Sequence, residues 1–304
     1  MPSFRLSLLA PLLAAAAAAA SAQGPAAAAL PTLDATTVLL VVAPHPDDET
    51  LCCAGVIQRV LRAGGRASVV WLTSGDGSQL GSVVIEKSLF ANPQRMRDYG
   101  ERRMAEARAA AGSLGVTVTG QLFLGYPDGG IQALLTQFRS KPYQSRFTAA
   151  AAVPYPDALF PQHAYTGESL ERDFAAVLER VRPTLILAPS PLDTHLDHHA
   201  TGLLTIAAAA QLPASALRYW IVHGGEGWPS PRGLVPGIPL GTPPVGVALA
   251  PAAFALSPAE EDGKLAALRH YQTQMRVMAP FLLAFVRTTE RFARTPAPAP
   301  PNQR

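Results

Sequence analysis

The sequence predicts an α/β fold in which a mostly parallel sheet is covered by helices on both faces. Three observations point there. Short apolar runs alternate with longer segments whose apolar positions recur at helical spacing. The first run, Thr37 to Ala43, is apolar almost without a break, as expected of a strand buried on both faces. Finally, two clusters of histidines and acids follow directly on such runs. Open α/β sheets place their ligands there, just beyond the carboxyl ends of the strands.

Taken in order, Thr37–Ala43 is the first strand. Glu49 to Ala63 reads as a helix closed by Gly64-Gly65. Ala67 to Leu72 is a second strand, followed by the loop Thr73-Ser74-Gly75-Asp76-Gly77. Gln94 to Leu114 is helical, with Met96, Met104, Ala107, Ala111 and Leu114 on one stripe. Gln121 to Leu124 is a third strand. Glu168 to Val181 is a helix leading into the strand Leu185–Ala188. His199 to Ala210 is the next helix and Leu217 to Val222 a further strand. This succession is that of a Rossmann-like sheet. Two stretches break it: Ile131 to Gly167 has no clean periodicity, and Gly224 to Pro244 is rich in Gly and Pro. Both begin beyond expected strand ends, where loops shape a binding site. The chain has 304 residues and no internal repeat, so a single domain is the simpler reading.

The ends read differently from the middle. Arg5, the apolar stretch Leu8 to Ala20 and the small-x-small site Ala20-Ser21-Ala22 have the form of a secretory signal peptide over residues 1–22. The stretch is too short and too alanine-rich for a good membrane span, and no other segment has the length for one. The protein is therefore expected in the periplasm or outside the cell, with the folded domain over residues 23–294. The Pro- and Ala-rich tail, 295–304, is expected to be disordered. The two cysteines, Cys52 and Cys53, are adjacent. A bridge between neighbours is uncommon, so they read as small buried side chains of the first helix. The net charge is only +3, without a run of Lys and Arg, which gives no footprint for nucleic acid.

The chemistry sits in the two clusters. Pro44-His45-Pro46-Asp47-Asp48-Glu49 ends the first strand. His45 and Asp48 offer an imidazole and a carboxylate, a common pairing for a divalent metal such as zinc. Asp47, beside them, can take a proton from a metal-bound water. Either aspartate could instead cap the following helix. Asp193-Thr194-His195-Leu196-Asp197-His198-His199 follows the fourth strand, and one of its histidines would complete a three-ligand catalytic site. Asp128 lies in a Pro-Asp-Gly-Gly turn that alone would explain it. Arg103 is three residues from Glu106, the spacing of a solvated helix pair. His223 follows the strand Leu217–Val222, a place for a pocket residue. There is no Gly-x-Ser-x-Gly nucleophile site and no phosphate-cradling glycine loop.

These segments resemble the PIG-L (LmbE-like) family of metal-dependent N-deacetylases. Pro44-His45-Pro46-Asp47-Asp48-Glu49 matches its first signature, and His195-Leu196-Asp197-His198 its second. Phe123 to Gly130, Arg103-Met104-Ala105-Glu106 with Leu114-Gly115-Val116, and Lys264–Leu268 with Tyr271, Gln272 and Gln274 are similar too. The resemblance implies a Zn2+-dependent hydrolase, with another divalent ion as the alternative. His45, Asp48 and His198 would be the ligands, Asp47 the base and His195 the group facing the substrate oxyanion. It implies substrate contacts for Asp128 and for an arginine near Arg103. His199 has no counterpart and reads as an exposed residue of the first helical turn. The expected substrate is a small molecule or glycoconjugate carrying an N-acyl group, N-acetylglucosamine above all. The rival readings are a metal-dependent amidase on a non-sugar amide and a sugar-binding protein that does no chemistry.

Overall fold

The computed structural model describes residues 30–77, 92–210 and 216–296. The proposed signal segment therefore lies outside the described residues, as does the tail beyond Pro296. Five strands form one sheet: β1 (Val38–Ala43), β2 (Arg66–Thr73), β3 (Gln121–Tyr126), β4 (Leu185–Pro189) and β5 (Leu217–Trp220). Their order is β3-β2-β1-β4-β5, and every pairing is parallel. The expected single α/β domain is what forms. The order reverses between β1 and β4, which leaves a crevice at their carboxyl ends.

β1 is the centre of the core. Leu39 to Ala43 are fully buried, because helices cover both faces of the strand. Burying one such aliphatic side chain contributes about 1.5–3 kcal/mol. The helices are α1 (Asp48–Arg62), α2 (Pro93–Ser113), α3 (Ile131–Thr136), α4 (Gly167–Val181), α5 (Leu196–Ala208), α6 (Pro258–Leu268) and α7 (Gln272–Leu283). No described helix is long and apolar enough to cross a membrane.

A buried ion pair fixes α1 where it leaves the crevice. Lys264 Nζ donates to the Leu51 carbonyl at 2.8 Å and meets Glu290 at 2.9 Å. Glu290 in turn accepts from the backbone N–H groups of Gly55 and Val56. All of these charged atoms are out of water, so removing either partner would leave an uncompensated buried charge, a cost of about 3–5 kcal/mol.

Several elements differ from the sequence reading. α1 begins at Asp48 and α5 at Leu196, so both metal-type motifs enter their helices earlier than periodicity suggested. β5 stops at Trp220, which releases Val222 and His223 into a loop. The stretch 131–167 holds α3 and an isolated antiparallel bridge, Ala152 to Ala164. After residue 250 the chain adds a short antiparallel pair, β6 (Ala252–Ala255) with β7 (Thr289–Phe292), around α6 and α7. α6 carries a capping box between Ser257 and Glu260. Cys52 and Cys53 are buried as expected, but they are joined in a disulfide. The Pro296 carbonyl accepts from Ser190 Oγ at 2.8 Å, so the chain is still tied to the domain at the second residue of the expected tail.

Candidate active site

The crevice is built by two turns that leave β1 and β4. After β1, Thr73 holds the turn by donating from its N–H and its hydroxyl to the Pro44 carbonyl. The Asp48 carboxylate folds back and accepts from the His45 N–H at 2.9 Å. The same oxygen, Oδ2, lies 3.3 Å from His45 Nδ1 and 3.2 Å from His198 Nε2. These two ring nitrogens are 3.2 Å apart. Three donor atoms thus form a nearly equilateral triangle. An ion about 2.0–2.1 Å from each donor of a tetrahedral set spans edges of about 3.3 Å. The triangle fits such an ion.

The outer nitrogens of both rings face carboxylates. His198 Nδ1 is 3.1 Å from Asp193 Oδ2, an oxygen that also accepts from the N–H groups of Val222 and His223. His45 Nε2 is 3.2 Å from Asp197 and 3.3 Å from Asp128. Each acid is placed to accept a hydrogen bond from the outer nitrogen, which in the neutral ring would leave the lone pair of the inner one toward the triangle. Asp197 also accepts from the N–H groups of Gly129 and Ile131, so one side chain orients His45 and moors the loop that carries Asp128. Burial opposes charge on His45, but Asp128, Asp197 and Asp48 outweigh it and hold its pKa well above the usual value. Burial likewise opposes charge on His198, while Asp193 and Asp48 raise it to about 9. Burial acts against the Asp48 carboxylate, yet His198 and His45 hold its pKa well below the ordinary range. Two imidazoles among four carboxylates make a pocket that favours a cation.

Asp47 stands beside the triangle. It occupies the N-cap position of α1, yet neither it nor Asp48 caps the helix with its side chain. Its φ of 119° is one that L side chains rarely adopt, and such strain gathers at functional sites. Glu49 Oε2 accepts from the Asp47 N–H at 3.3 Å and from Trp71 Nε1 at 2.9 Å, while Glu49 Oε1 accepts from the Tyr271 hydroxyl. The Asp47 carboxylate receives Arg103 at 3.2 Å and Gln274 Nε2 at 3.4 Å. Burial drives its pKa up to about 7 against the pull of Arg103.

His195 is the N-cap of α5, and its Nδ1 accepts from the Asp197 N–H at 3.3 Å. The neutral ring then carries its proton on Nε2. Burial, then the neighbouring histidines His45 and His198, depress its pKa to about 4, so the ring stays neutral. His223 lies 4.7 Å from His198 and 5.0 Å from His195, ring to ring, and stacks on Phe281.

Of the eight residues singled out in the sequence, seven line one cleft of about 270 Å³: His45, Asp47, Asp48, Arg103, Asp128, His195 and His223. His198 lies fully buried against it. Two sequence readings need correction. Arg103 does not pair with Glu106 on a solvated face. It is buried and donates to the carbonyls of Pro46 and Gly75, while Glu106 accepts from Thr273. His199 is not an exposed first-turn residue either, because its Nδ1 donates to the Pro191 carbonyl at 2.6 Å and the ring is half-buried. Sequence reasoning gave no role to Asp193, whose only local signal is an acid five residues before His198. It also missed Met278, Phe281 and Leu282, which reach the cleft from α7.

A family model described as PIG-L, GlcNAc-PI de-N-acetylase, matches residues 40–209, more than half of the chain and both turns of the site. The chain belongs to the PIG-L family. It is 28% identical over 186 residues to a 1D-myo-inositol 2-acetamido-2-deoxy-alpha-D-glucopyranoside deacetylase of Mycobacterium sp. (strain KMS), covering 60% of this chain and 54% of that protein. The match thus spans about half the length of that relative. Among solved structures, the fold is similar to the A40926 pseudoaglycone deacetylase Dbv21, with a TM-score of 0.51 at 20% identity over 79% of this chain and 84% of that one. It is similar as well to N,N'-diacetylchitobiose deacetylase from Pyrococcus horikoshii, with a TM-score of 0.51 at 18% identity over 85% and 83% of the two chains. The conserved protein TT1542 from Thermus thermophilus aligns with a TM-score of 0.50 at 23% identity over 88% and 100%. At these identities the structural likenesses speak for the fold. The family match carries the two motifs.

Proposed function

We propose that this protein is an exported, zinc-dependent hydrolase that removes an N-acyl group, acetyl being the expected one, from an amino sugar or glycoconjugate. One observation carries the reading: a metal-sized triangle of His45, Asp48 and His198 with the spare carboxylate of Asp47 beside it. A structural metal site has no use for that spare group. Family membership and the deacetylase relatives support the reaction class and the sugar. The N-terminal sequence, with its apolar stretch and Ala20-Ser21-Ala22, supports export.

A divalent ion held by the triangle would polarise the amide carbonyl and acidify a water. Asp47 takes the proton from that water as it attacks. A carboxylate raised toward neutrality is matched to this work, and Arg103 and Gln274 hold it in place. His195 donates its Nε2 proton as a hydrogen bond to the oxyanion that develops on the carbonyl. The amine then leaves with a proton, from Asp47, which took one, or from His195. Asp128 and Arg103 face the sugar hydroxyls.

The test is release of free amine from N-acetylglucosamine conjugates by the purified protein under a zinc titration, alongside non-sugar N-acyl amides. Metal-dependent release from the sugars supports the proposal. Turnover confined to non-sugar amides would make it an amidase, and binding without turnover a sugar-binding protein.

A further inference from the structure

The cleft has two unlike walls. On one side stand Asp128, Arg103 and Asp47, all buried or nearly so and all hydrogen-bonded, with Gln274 reaching Asp47 from α7. On the other stand Leu51, Val222, His223, Met278, Phe281 and Leu282. The second wall comes mostly from residues beyond 209, outside the stretch that the family model matches.

Its exposed part is built by a broken helix. Met278 has non-helical angles (φ −138°, ψ 31°), and Pro280 follows two residues later inside α7. Proline removes a ladder donor and crowds the preceding turn, which accounts for a break at this point. The break lies among the α7 residues that line the cleft. Phe281 is positioned by two neighbours: it stacks on His223 with ring planes 14° apart, and the Arg232 guanidinium lies 4.9 Å from its ring centroid. Met278 and Phe281 are only partly buried, so a ligand placed on them would remove apolar surface from water.

We propose that this wall receives the acyl chain and that the protein favours N-acyl groups longer than acetyl. The inference rests on the deacylase reading above and deepens it. An amide carbon held between Asp47 and His195 has two substituents, the amine with its sugar and the acyl group. A sugar needs hydrogen-bond partners for its hydroxyls, and these stand on the Asp128–Arg103 side. The acyl group is then directed to the other side. A methyl group covers one side chain at most, whereas Met278 and Phe281 together offer a surface for a chain of several carbons. Methionine is suited to such a wall because its unbranched side chain adapts to the length it meets.

The experiment uses the full chain loaded with zinc and measures amine release from N-acetyl-, N-butanoyl- and N-hexanoylglucosamine. Each buried methylene contributes about 0.8 kcal/mol, or roughly a fourfold gain in kcat/KM. The butanoyl substrate should therefore exceed the acetyl one on the order of tenfold, with the gain mainly in KM. Met278→Ala and, separately, Phe281→Leu should flatten this dependence on chain length. A wild-type series that falls with chain length would overturn the proposal while leaving the deacylase reading intact. So would a rising series that neither variant flattens. If zinc-loaded protein hydrolyses none of the three, including the acetyl substrate, the deacylase reading itself fails and this inference with it.

Discussion

The two walls of the cleft are made in opposite ways. Around the metal-sized triangle each histidine is fixed by an acid that is itself held: Asp193 meets one ring nitrogen and three backbone N–H groups, and Asp197 one ring nitrogen and two. The ligand triangle and the acids behind it issue from the turns after β1 and β4, the strands on either side of the crevice, and they are buried. The apolar side hangs from a broken helix near the chain's end and is held by stacking. The contrast separates two functions. Chemistry needs groups placed to within a fraction of an ångström and is built on the most constrained part of the fold. Selectivity needs a surface of roughly the right shape and can sit on a looser element. Substitutions should divide along the same line.

The largest effects belong to the triangle. His45→Ala or His198→Ala should abolish turnover, and elemental analysis should show most of the bound metal gone. Full occupancy in both variants would remove these residues from the ligand set. Next comes His195. His195→Gln should keep the metal and lose about 10²–10³-fold in kcat, the size of one oxyanion donor. A loss confined to KM would assign it to substrate binding instead. Asp193→Asn should follow, weakening zinc affinity by about 10–100-fold, as expected when the partner of a ligating histidine is changed. Unaltered affinity in a metal titration would show that Asp193 only braces the loop at Val222. Smallest should be the effects of Met278 and Phe281, a few-fold for each methylene of acyl chain.

The same contrast explains what could be read from the sequence. β1 and the motif after it are contiguous: an apolar run, then His45, Asp47 and Asp48 within four residues. Locality of that kind survives in a linear string, as does the alternation that announces the parallel sheet. Asp193 was harder, because an acid in a Pro-Leu-Asp-Thr turn looks like any loop residue until His198 and the loop after β5 fold onto it. Met278 and Phe281 were invisible for a further reason. They reach the cleft only through the tertiary return of α7, whose Pro280 argues against a helix altogether. β6 and β7 are four residues each, and β6, Ala-Ala-Phe-Ala, has no β-branched residue to mark it as a strand. The Cys52–Cys53 bond departs from the sequence expectation, because bridges between neighbours are uncommon and nothing in the sequence marks this pair as one.

The central claim is that two adjacent aspartates on one turn do different work, Asp48 holding the metal and Asp47 moving the proton. It is tested most directly by measuring metal content and turnover of Asp47→Asn and Asp48→Asn across a zinc titration. Asp47→Asn should retain its metal and lose about 10²–10⁴-fold in turnover, the usual contribution of a general base, and added zinc should not restore it. Asp48→Asn should lose metal, and excess zinc should recover part of its activity. The reverse pattern, with metal lost from Asp47→Asn and a zinc-insensitive defect in Asp48→Asn, would contradict the assignment and exchange the two roles.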